Sequence, residues 1–174
     1  MILRFAPLLC MILFVVMMIA ALSRPAEKLR DQEVLTQVEA FSLPDLWQIN
    51  QRINIPAVTG PILVNVFASW CGSCRIEHPF WMENADKIPV AFVGIGWNDS
   101  AENLKKSLLK NGNPYKIVGV DEKGNQAVSL GVTGVPETFL IAADGRVLAH
   151  HAGPMHKAVW DAHFLPQLKD FVKP

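Results

Sequence analysis

Cysteine is scarce in this chain, and its scarcity limits the metal sites that the chain can build. Three cysteines are present among 174 residues, and Cys10 lies far from the close pair Cys71 and Cys74. A structural zinc or iron–sulfur site needs four ligands, which usually come as two spaced pairs. The histidines supply no His-x-x-x-His pair that could complete such a set. We therefore expect no metal and no separate cofactor, and redox chemistry explains the pair better.

An excess of either charge is also missing, since sixteen Lys and Arg residues balance sixteen Asp and Glu residues. The sequence therefore gives no indication of a nucleic-acid partner or of an anionic surface as a ligand. It also has no internal repeats and no low-complexity tracts. Once the N-terminal segment is set aside, about 150 residues remain, which is the size of one ordinary domain with its own core.

Charged residues are missing from one N-terminal stretch, Phe5 to Leu22. Its length meets the minimum for a helix that crosses a membrane. A cleaved signal peptide is the competing interpretation, with Ala21-Leu22-Ser23 as the cleavage site. Because the stretch is longer than the usual signal core, an uncleaved anchor is favoured. The predicted organisation is an anchor with a short head over residues 1–23, a polar linker over 24–40, and one domain over 41–174.

The close cysteine pair lies where a strand is predicted to end and a helix to begin. Pro61 to Ala68 is almost unbroken apolar sequence rich in branched residues, which is typical of a central strand buried on both faces. The spacing puts Cys71 at the positive end of the helix, which favours its thiolate, and Cys74 almost one turn further on. A strand, a Cys-x-x-Cys and a helix form the redox arrangement of a thioredoxin-like βαβ unit.

The rest of the chain predicts an α/β fold with a central mixed sheet flanked by helices. A second buried strand over 89–97 would pair in parallel with the first through a right-handed crossover. A hairpin is indicated near the C-terminus, because Asp144-Gly145 separates two alternating apolar runs. The other predicted elements are a short strand or hairpin within 41–55, a helix capped within 98–100 and ending near 111, a strand over 115–120, a short helix over 126–130 and an amphipathic helix over 155–172.

Three positions near the cysteines are candidates for the site, each with a plainer alternative. Val135-Pro136 precedes a predicted strand. A proline at a strand start leaves an open backbone edge to which a bound peptide can pair. Alternatively, Pro136 is an ordinary loop proline. Glu77 lies on nearly the same helical face as Cys74. It is either a partly buried acid that raises the Cys74 thiol pKa and relays protons, or an exposed carboxylate. Glu137 has the same ambiguity.

The aromatic and imidazole side chains are less informative. Trp70 and Trp97 lie at the ends of predicted strands, where they either form an apolar surface for a protein substrate or pack in the core. The five histidines are interpreted as surface or packing residues, because none has a catalytic partner in the sequence.

Three blocks of sequence together are specific enough to indicate a family. They are the stretch 63–78 around the cysteines, Asn111–Tyr115, and 130–141 continuing to Gly153. Gly-Val-x-Gly-x-Pro-Glu-Thr-Phe beside Cys-x-x-Cys-Arg-x-Glu is far sharper than Cys-x-x-Cys alone. With the anchor, the chain resembles the membrane-anchored thioredoxin-like proteins of cytochrome c maturation, the CcmG/DsbE family. That family often has Pro-Thr between the cysteines, whereas this chain has Gly72-Ser73, so the redox potential does not carry over.

The resemblance implies a reducing domain with the thioredoxin fold, facing the periplasm from a bacterial inner membrane. It implies that Cys71 attacks a substrate disulfide, that Cys74 resolves the mixed disulfide, and that a cis proline, Pro136, lies beside them. Glu77 would manage the proton on Cys74. The implied partners are a membrane thiol reductant as electron donor and apocytochrome c, or its maturation chaperones, as client. The predicted substrate contacts are Trp70, Val135, Pro136 and Glu137.

Two other functions remain open. The same chemistry would serve a general oxidant, or a reductant for a different client such as a copper-site protein. A chaperone that holds apocytochrome or haem without redox turnover belongs to another class. Paired thiols at a strand–helix junction make the chaperone the weaker alternative.

Overall fold

The computed structural model describes residues 11–18, 37–48, 50–56 and 60–171. The chain divides into two compact units, residues 1–32 and 33–174. In the first unit, residues 11–18 are helical. Within the described ranges, no helix has both the length and the apolar character needed to cross a membrane. Most of the predicted anchor and most of the predicted linker lie outside the described residues.

The described part of the second unit contains seven strands and a small number of helices. The strands are β1 Phe41–Pro44, β2 Arg52–Ile55, β3 Ile62–Phe67, β4 Ala91–Trp97, β5 Ile117–Asp121, β6 Glu137–Ile141 and β7 Val147–Ala152. The helices are α1 Gly72–Asn84, α2 Ala101–Asn111, α3 Lys157–Val159 and α4 Leu165–Leu168, with a π-helical turn Trp160–Phe164 and 3₁₀ turns Ala85–Lys87, Ala127–Leu130 and Lys169–Phe171.

A mixed sheet with the order β5-β4-β3-β6-β7 forms the centre of the domain. β3 pairs in parallel with β4 and antiparallel with β6. β4 pairs in parallel with β5, while β6 and β7 form the predicted antiparallel hairpin. β1 and β2 pair with each other as a separate antiparallel ribbon. The central mixed sheet of a thioredoxin-like fold is therefore confirmed.

The two faces of the sheet are covered by different kinds of element. Leu63 and Phe67 face a core that includes Trp81 of α1 and Leu104 of α2. Both helices lie on this face because the β3–α1–β4 and β4–α2–β5 crossovers proceed in the same direction along the sheet and share one hand. The opposite face packs on the β1–β2 ribbon and the 3₁₀ turn Ala127–Leu130. The sequence predicted helices as the flanking elements, whereas a strand ribbon covers much of this second face.

Several element boundaries differ from the sequence prediction for identifiable reasons. The domain includes residues before Phe41, because Val38 is buried and its amide donates to the Gly145 carbonyl at 2.8 Å. The predicted strand over 115–120 begins only at Ile117, since Tyr115 turns its side chain into the core. The C-terminal helix contains a π-helical turn just before Pro166, which lacks the N–H that a regular helix would use.

Candidate active site

The two close cysteines form a disulfide at the beginning of α1, with their Cα atoms 5.3 Å apart. Cys71 is the N-cap residue, and its Sγ accepts a hydrogen bond of 3.0 Å from the Cys74 amide. Once the disulfide is reduced, this N–H and the helix dipole favour the thiolate of Cys71. Both residues are largely buried, at 4% and 8% exposure. The geometry suits a nucleophile at Cys71 and a resolving thiol at Cys74.

The loop before β6 lies directly against the nucleophilic cysteine. The Val135–Pro136 peptide bond is cis, which confirms the expectation from the family resemblance. The Val135 carbonyl oxygen lies 3.7 Å from the Cys71 Sγ, within reach of a thiol proton in the reduced protein. Val135 is partly exposed, whereas Pro136 is buried. A backbone acceptor therefore stands beside the reactive sulfur, where an extended peptide can approach.

Glu77 is buried, at 1% exposure, and belongs to a polar network inside the domain. Its Oε1 accepts a hydrogen bond of 2.8 Å from the Asn65 amide nitrogen, and its Oε2 accepts one of 2.7 Å from the Met155 backbone. Asn65 also donates to the Thr138 hydroxyl at 3.2 Å and accepts from the Tyr115 hydroxyl at 2.7 Å. Strand, helix and C-terminal segment thus all contribute to the environment of one carboxyl group.

Burial raises the pKa of the Glu77 carboxyl above its ordinary value, and the hydrogen bonds from Met155 and Asn65 offset only part of that effect. Burial, together with the nearby Glu77 charge, also raises the pKa of Tyr115 well above 10. The phenol therefore remains a donor throughout the physiological range. A carboxyl group with a raised pKa, three residues after Cys74 on α1, is suited to proton exchange.

Glu137 is buried, at 2% exposure, and its carboxylate holds the loop that precedes it. Its Oε1 accepts hydrogen bonds from the Thr133 amide, the Thr133 hydroxyl and the Gly134 amide at 3.0, 2.7 and 3.2 Å. Its Oε2 lies 3.2 Å from His150 Nε2. Burial raises the pKa of Glu137, but the hydrogen bonds from His150 and Thr133 outweigh it and lower that pKa. This placement makes the Glu137 side chain a support for the loop carrying Val135, and the substrate contact expected at Glu137 stays a prediction.

The two tryptophans at the strand ends have different environments. Trp70, next to Cys71, is 53% exposed, and its indole N–H donates to the Asn98 carbonyl at 3.1 Å. Trp97 packs against the core of the second sheet face, and its indole donates to the Gly124 carbonyl at 2.9 Å. Only Trp70 of this pair therefore presents a large apolar surface beside the cysteines.

Several residues that shape the site were not identified from the sequence. Asn65 had a usable signal, because it is the one polar residue in a strand buried throughout, and a buried amide needs partners. Tyr115 and His150 reach their partners across the fold, which spacing along the chain does not reveal. Asp99 is buried, and its Oδ2 accepts a 2.6 Å hydrogen bond from the Ser69 amide. Among the described residues, no group of three or more His, Cys, Asp or Glu side chains could hold a metal ion.

Comparison with known proteins agrees with this geometry. The sequence profile of the Redoxin family matches residues 34–163. The thiol:disulfide interchange protein DsbE of Yersinia pestis is 34% identical over 176 residues, which span 97% of this chain and 93% of that protein. The DsbE protein of Pasteurella multocida is 39% identical over 133 residues, 76% of this chain and 73% of its own length.

The folds agree as well. A crystal structure of a protein described as a thiol:disulfide interchange protein DsbE from Chlorobium tepidum superposes with a TM-score of 0.63 at 27% identity, covering 76% of this chain and 92% of that one. Bacillus subtilis StoA superposes with a TM-score of 0.61 at 19% identity, a likeness of fold alone. With the dithiol, the cis proline and the buried acid brought together, the chain is a thiol:disulfide oxidoreductase that belongs to the Redoxin family and, within it, to the CcmG/DsbE proteins.

Proposed function

We propose that this oxidoreductase acts as a reductant of the haem-binding cysteines of apocytochrome c during cytochrome c maturation. The observation that carries the proposal is the disulfide at the start of α1, with the Val135 carbonyl on one side and the buried Glu77 on the same helix. The three sequence blocks that resemble the CcmG/DsbE family support the choice of client. General exchange with other clients would use the same atoms.

The reaction would transfer two electrons from the protein to the client. The Cys71 thiolate attacks one sulfur of the client disulfide, so that a mixed disulfide forms and one client thiolate leaves. Cys74 then gives up its proton and attacks the Cys71 Sγ, which releases the second client thiolate. The protein ends with the Cys71–Cys74 disulfide, and the client ends with two thiols after taking up two protons. No cofactor beyond the cysteine pair takes part.

Glu77 would accept the proton of Cys74 during the second step. Its burial disfavours the charged carboxylate, and this is why its pKa is raised towards the range where proton exchange is efficient. The hydrogen bonds from Asn65 and Met155 fix the position of the carboxyl group. A peptide client would contact the exposed Trp70 and lie along the backbone at Val135.

Because the proposed protein donates electrons to its client, it has to be placed near an electron donor. A reductant in an oxidising compartment needs a dedicated supply of electrons. An uncleaved anchor over Phe5–Leu22 in the bacterial inner membrane would keep the domain, on the periplasmic side, near a membrane thiol reductant. That reductant would reduce the Cys71–Cys74 disulfide after each turnover.

The test is the equilibrium reduction potential of the cysteine pair in the full chain, titrated with dithiothreitol and followed by tryptophan fluorescence. We expect a value at or below about −200 mV, towards the reducing end of the range where thioredoxin lies. A value near about −120 mV, typical of a strong oxidant, would contradict the proposal and assign the protein to disulfide formation. Cytochrome assembly by a Cys71→Ser, Cys74→Ser double variant would instead indicate a chaperone without redox turnover.

A further inference from the structure

Two hydrogen bonds from the loop after β4 hold the two residues that precede the nucleophile. The Asp99 Oδ2 accepts a hydrogen bond of 2.6 Å from the Ser69 amide, and the Asn98 carbonyl accepts one of 3.1 Å from the Trp70 indole. The next amide, that of Cys71, donates to the Ala68 carbonyl at 3.2 Å and completes a turn. The backbone leading into α1 is therefore fixed from outside its own segment.

An ordinary function for Asp99 would be to cap α2, which begins two residues later. That function is already filled, because the Ser100 hydroxyl is the N-cap and accepts a hydrogen bond of 3.2 Å from the Asn103 amide. The Asp99 side chain is instead turned towards Ser69 and is only 5% exposed. A carboxylate is costly to bury, so its presence here needs an explanation beyond the helix.

The loop that carries Asp99 is itself firmly held. The Asn98 amide donates to the Asp121 carbonyl at 2.8 Å, and Asn98 adopts a left-handed backbone with φ of 49°. Asp121 is buried, and its carboxylate accepts hydrogen bonds from the amides of Gln126 and Ala127 at 3.0 and 2.7 Å. The bonds to Ser69 and Trp70 therefore come from a rigid support rather than from a mobile surface loop.

We propose that Asp99 is a positioning residue, which holds Ser69 and Trp70 so that the exposed indole of Trp70 meets a peptide substrate beside Cys71. This inference rests on the proposed function, since it names how that same site engages its client. Without the Asp99 carboxylate, the partly buried Ser69 amide loses its acceptor and the turn before Cys71 is free to shift. A shift of that turn moves the indole away from the path of the peptide.

The test compares two oxidants against the reduced, full-length protein. One is a synthetic peptide with an oxidised Cys-x-x-Cys-His sequence, and the other is hydroxyethyl disulfide, which is too small to need Trp70. We expect Asp99→Ala to slow reduction of the peptide by about tenfold. The rate with hydroxyethyl disulfide should stay within about twofold of the wild type. Asp99→Asn should restore the peptide rate, because its amide oxygen still accepts a hydrogen bond from Ser69.

Two control experiments distinguish a displaced Trp70 indole from a general disturbance of the active site. Ser100→Ala, in the same loop, removes the cap of α2 and should leave both rates unchanged. In a Trp70→Ala background, Asp99→Ala should cause no further loss with the peptide, since the contact that it positions is already gone. If Asp99→Ala does not fold, Asp99→Glu, whose longer side chain displaces the carboxylate, provides the same comparison.

The positioning role would be overturned by equal slowing with both oxidants, by a further loss in the Trp70→Ala background, or by a failure of Asp99→Asn to restore the rate. Wild-type rates in Asp99→Ala would overturn it too, and would leave the proposed function intact. A wild-type protein that does not reduce the peptide at all would overturn the proposed function, and the positioning role with it.

Discussion

At the scale of single residues, the site depends on how one acid is buried. Among the described residues, the donors to the two Glu77 oxygens are neutral groups, the Asn65 amide and the Met155 backbone. Neutral donors stabilise a carboxylate less than a cation does, so burial still disfavours its charge. These neutral donors suit the proposed role of Glu77 as a proton carrier, because they do not hold the carboxyl group in its charged form.

The burial of Glu77 should make the free energy of unfolding depend on pH. Because the pKa of Glu77 is raised on folding, the folded state holds the proton more tightly than the unfolded state above pH 4.5. Stability should therefore fall as pH rises from 4.5 towards the raised folded pKa, by about 1.4 kcal/mol for each unit of pKa difference. Glu77→Gln should lack this decline. Urea unfolding of the oxidised wild type and variant between pH 4 and 8 measures it, and parallel curves would contradict the prediction.

The sequence predicted the reactive residues better than the residues that surround them. Cys71, Cys74 and Glu77 share one helix, so their spacing alone places them on one side. The partners of Glu77 come from β3 and from the segment after β7, and no local pattern connects Asn65 with Met155. Glu137 adjoins Pro136 in the sequence, but only the fold shows that its carboxylate turns towards Thr133 and His150.

At the scale of secondary-structure elements, the close approach of β4 to an aromatic pair makes the polar network possible. Tyr115 stacks on Phe67 with ring centroids 4.8 Å apart, and its hydroxyl reaches Asn65 beneath α1. Gly94 on β4 leaves the space for both rings. A Cβ atom at this position would lie 2.8 Å from the Tyr115 ring and 2.9 Å from the Phe67 ring.

Gly94→Ala should therefore destabilise the domain by about 1–3 kcal/mol, the usual cost of overpacking a core. The displaced Tyr115 ring should also weaken the hydrogen bond to Asn65. Gly134→Ala is a matched control, since no atom lies within 4 Å of its added Cβ, and its effect should stay within about 0.5 kcal/mol. Equal urea midpoints for the two variants would show that the core accommodates the extra methyl group.

The elements that the sequence predicted well are those with a strong local signal. β3 and β4 are almost unbroken apolar runs, and the β6–β7 hairpin is marked by Asp144-Gly145. The helix predicted with a cap within 98–100 and an end near 111 matches α2, which has Ser100 as its N-cap and ends at Asn111. For residues 41–55 the sequence predicts either a short strand or a hairpin. The structure has the β1–β2 ribbon there, and local patterns do not decide between the two because the ribbon packs on the second sheet face through tertiary contacts. The apolar periodicity of the sequence predicts a helix here, but it does not distinguish the π-helical turn Trp160–Phe164 from a regular helical turn.

At the scale of the whole molecule, redox state and folding are coupled through the same disulfide. The folded state of a reductant stabilises the disulfide relative to the two thiols, whereas the folded state of a strong oxidant stabilises the two thiols. The oxidised domain should therefore resist urea at a higher concentration than the reduced domain. Paired urea titrations with and without dithiothreitol at pH 7 measure this difference. A higher midpoint for the reduced protein would contradict the assignment as a reductant.

The hydrogen bond between Met155 and Glu77 joins positions 78 residues apart along the chain. During synthesis the cysteine helix leaves the ribosome first, and the segment that completes the surroundings of its acid follows only near the end. A chain that stops early would carry both cysteines beside a carboxyl group that lacks one of its two donors. We therefore expect the Glu77 carboxyl group to gain its full set of hydrogen bonds only after the segment that follows β7 has been synthesised.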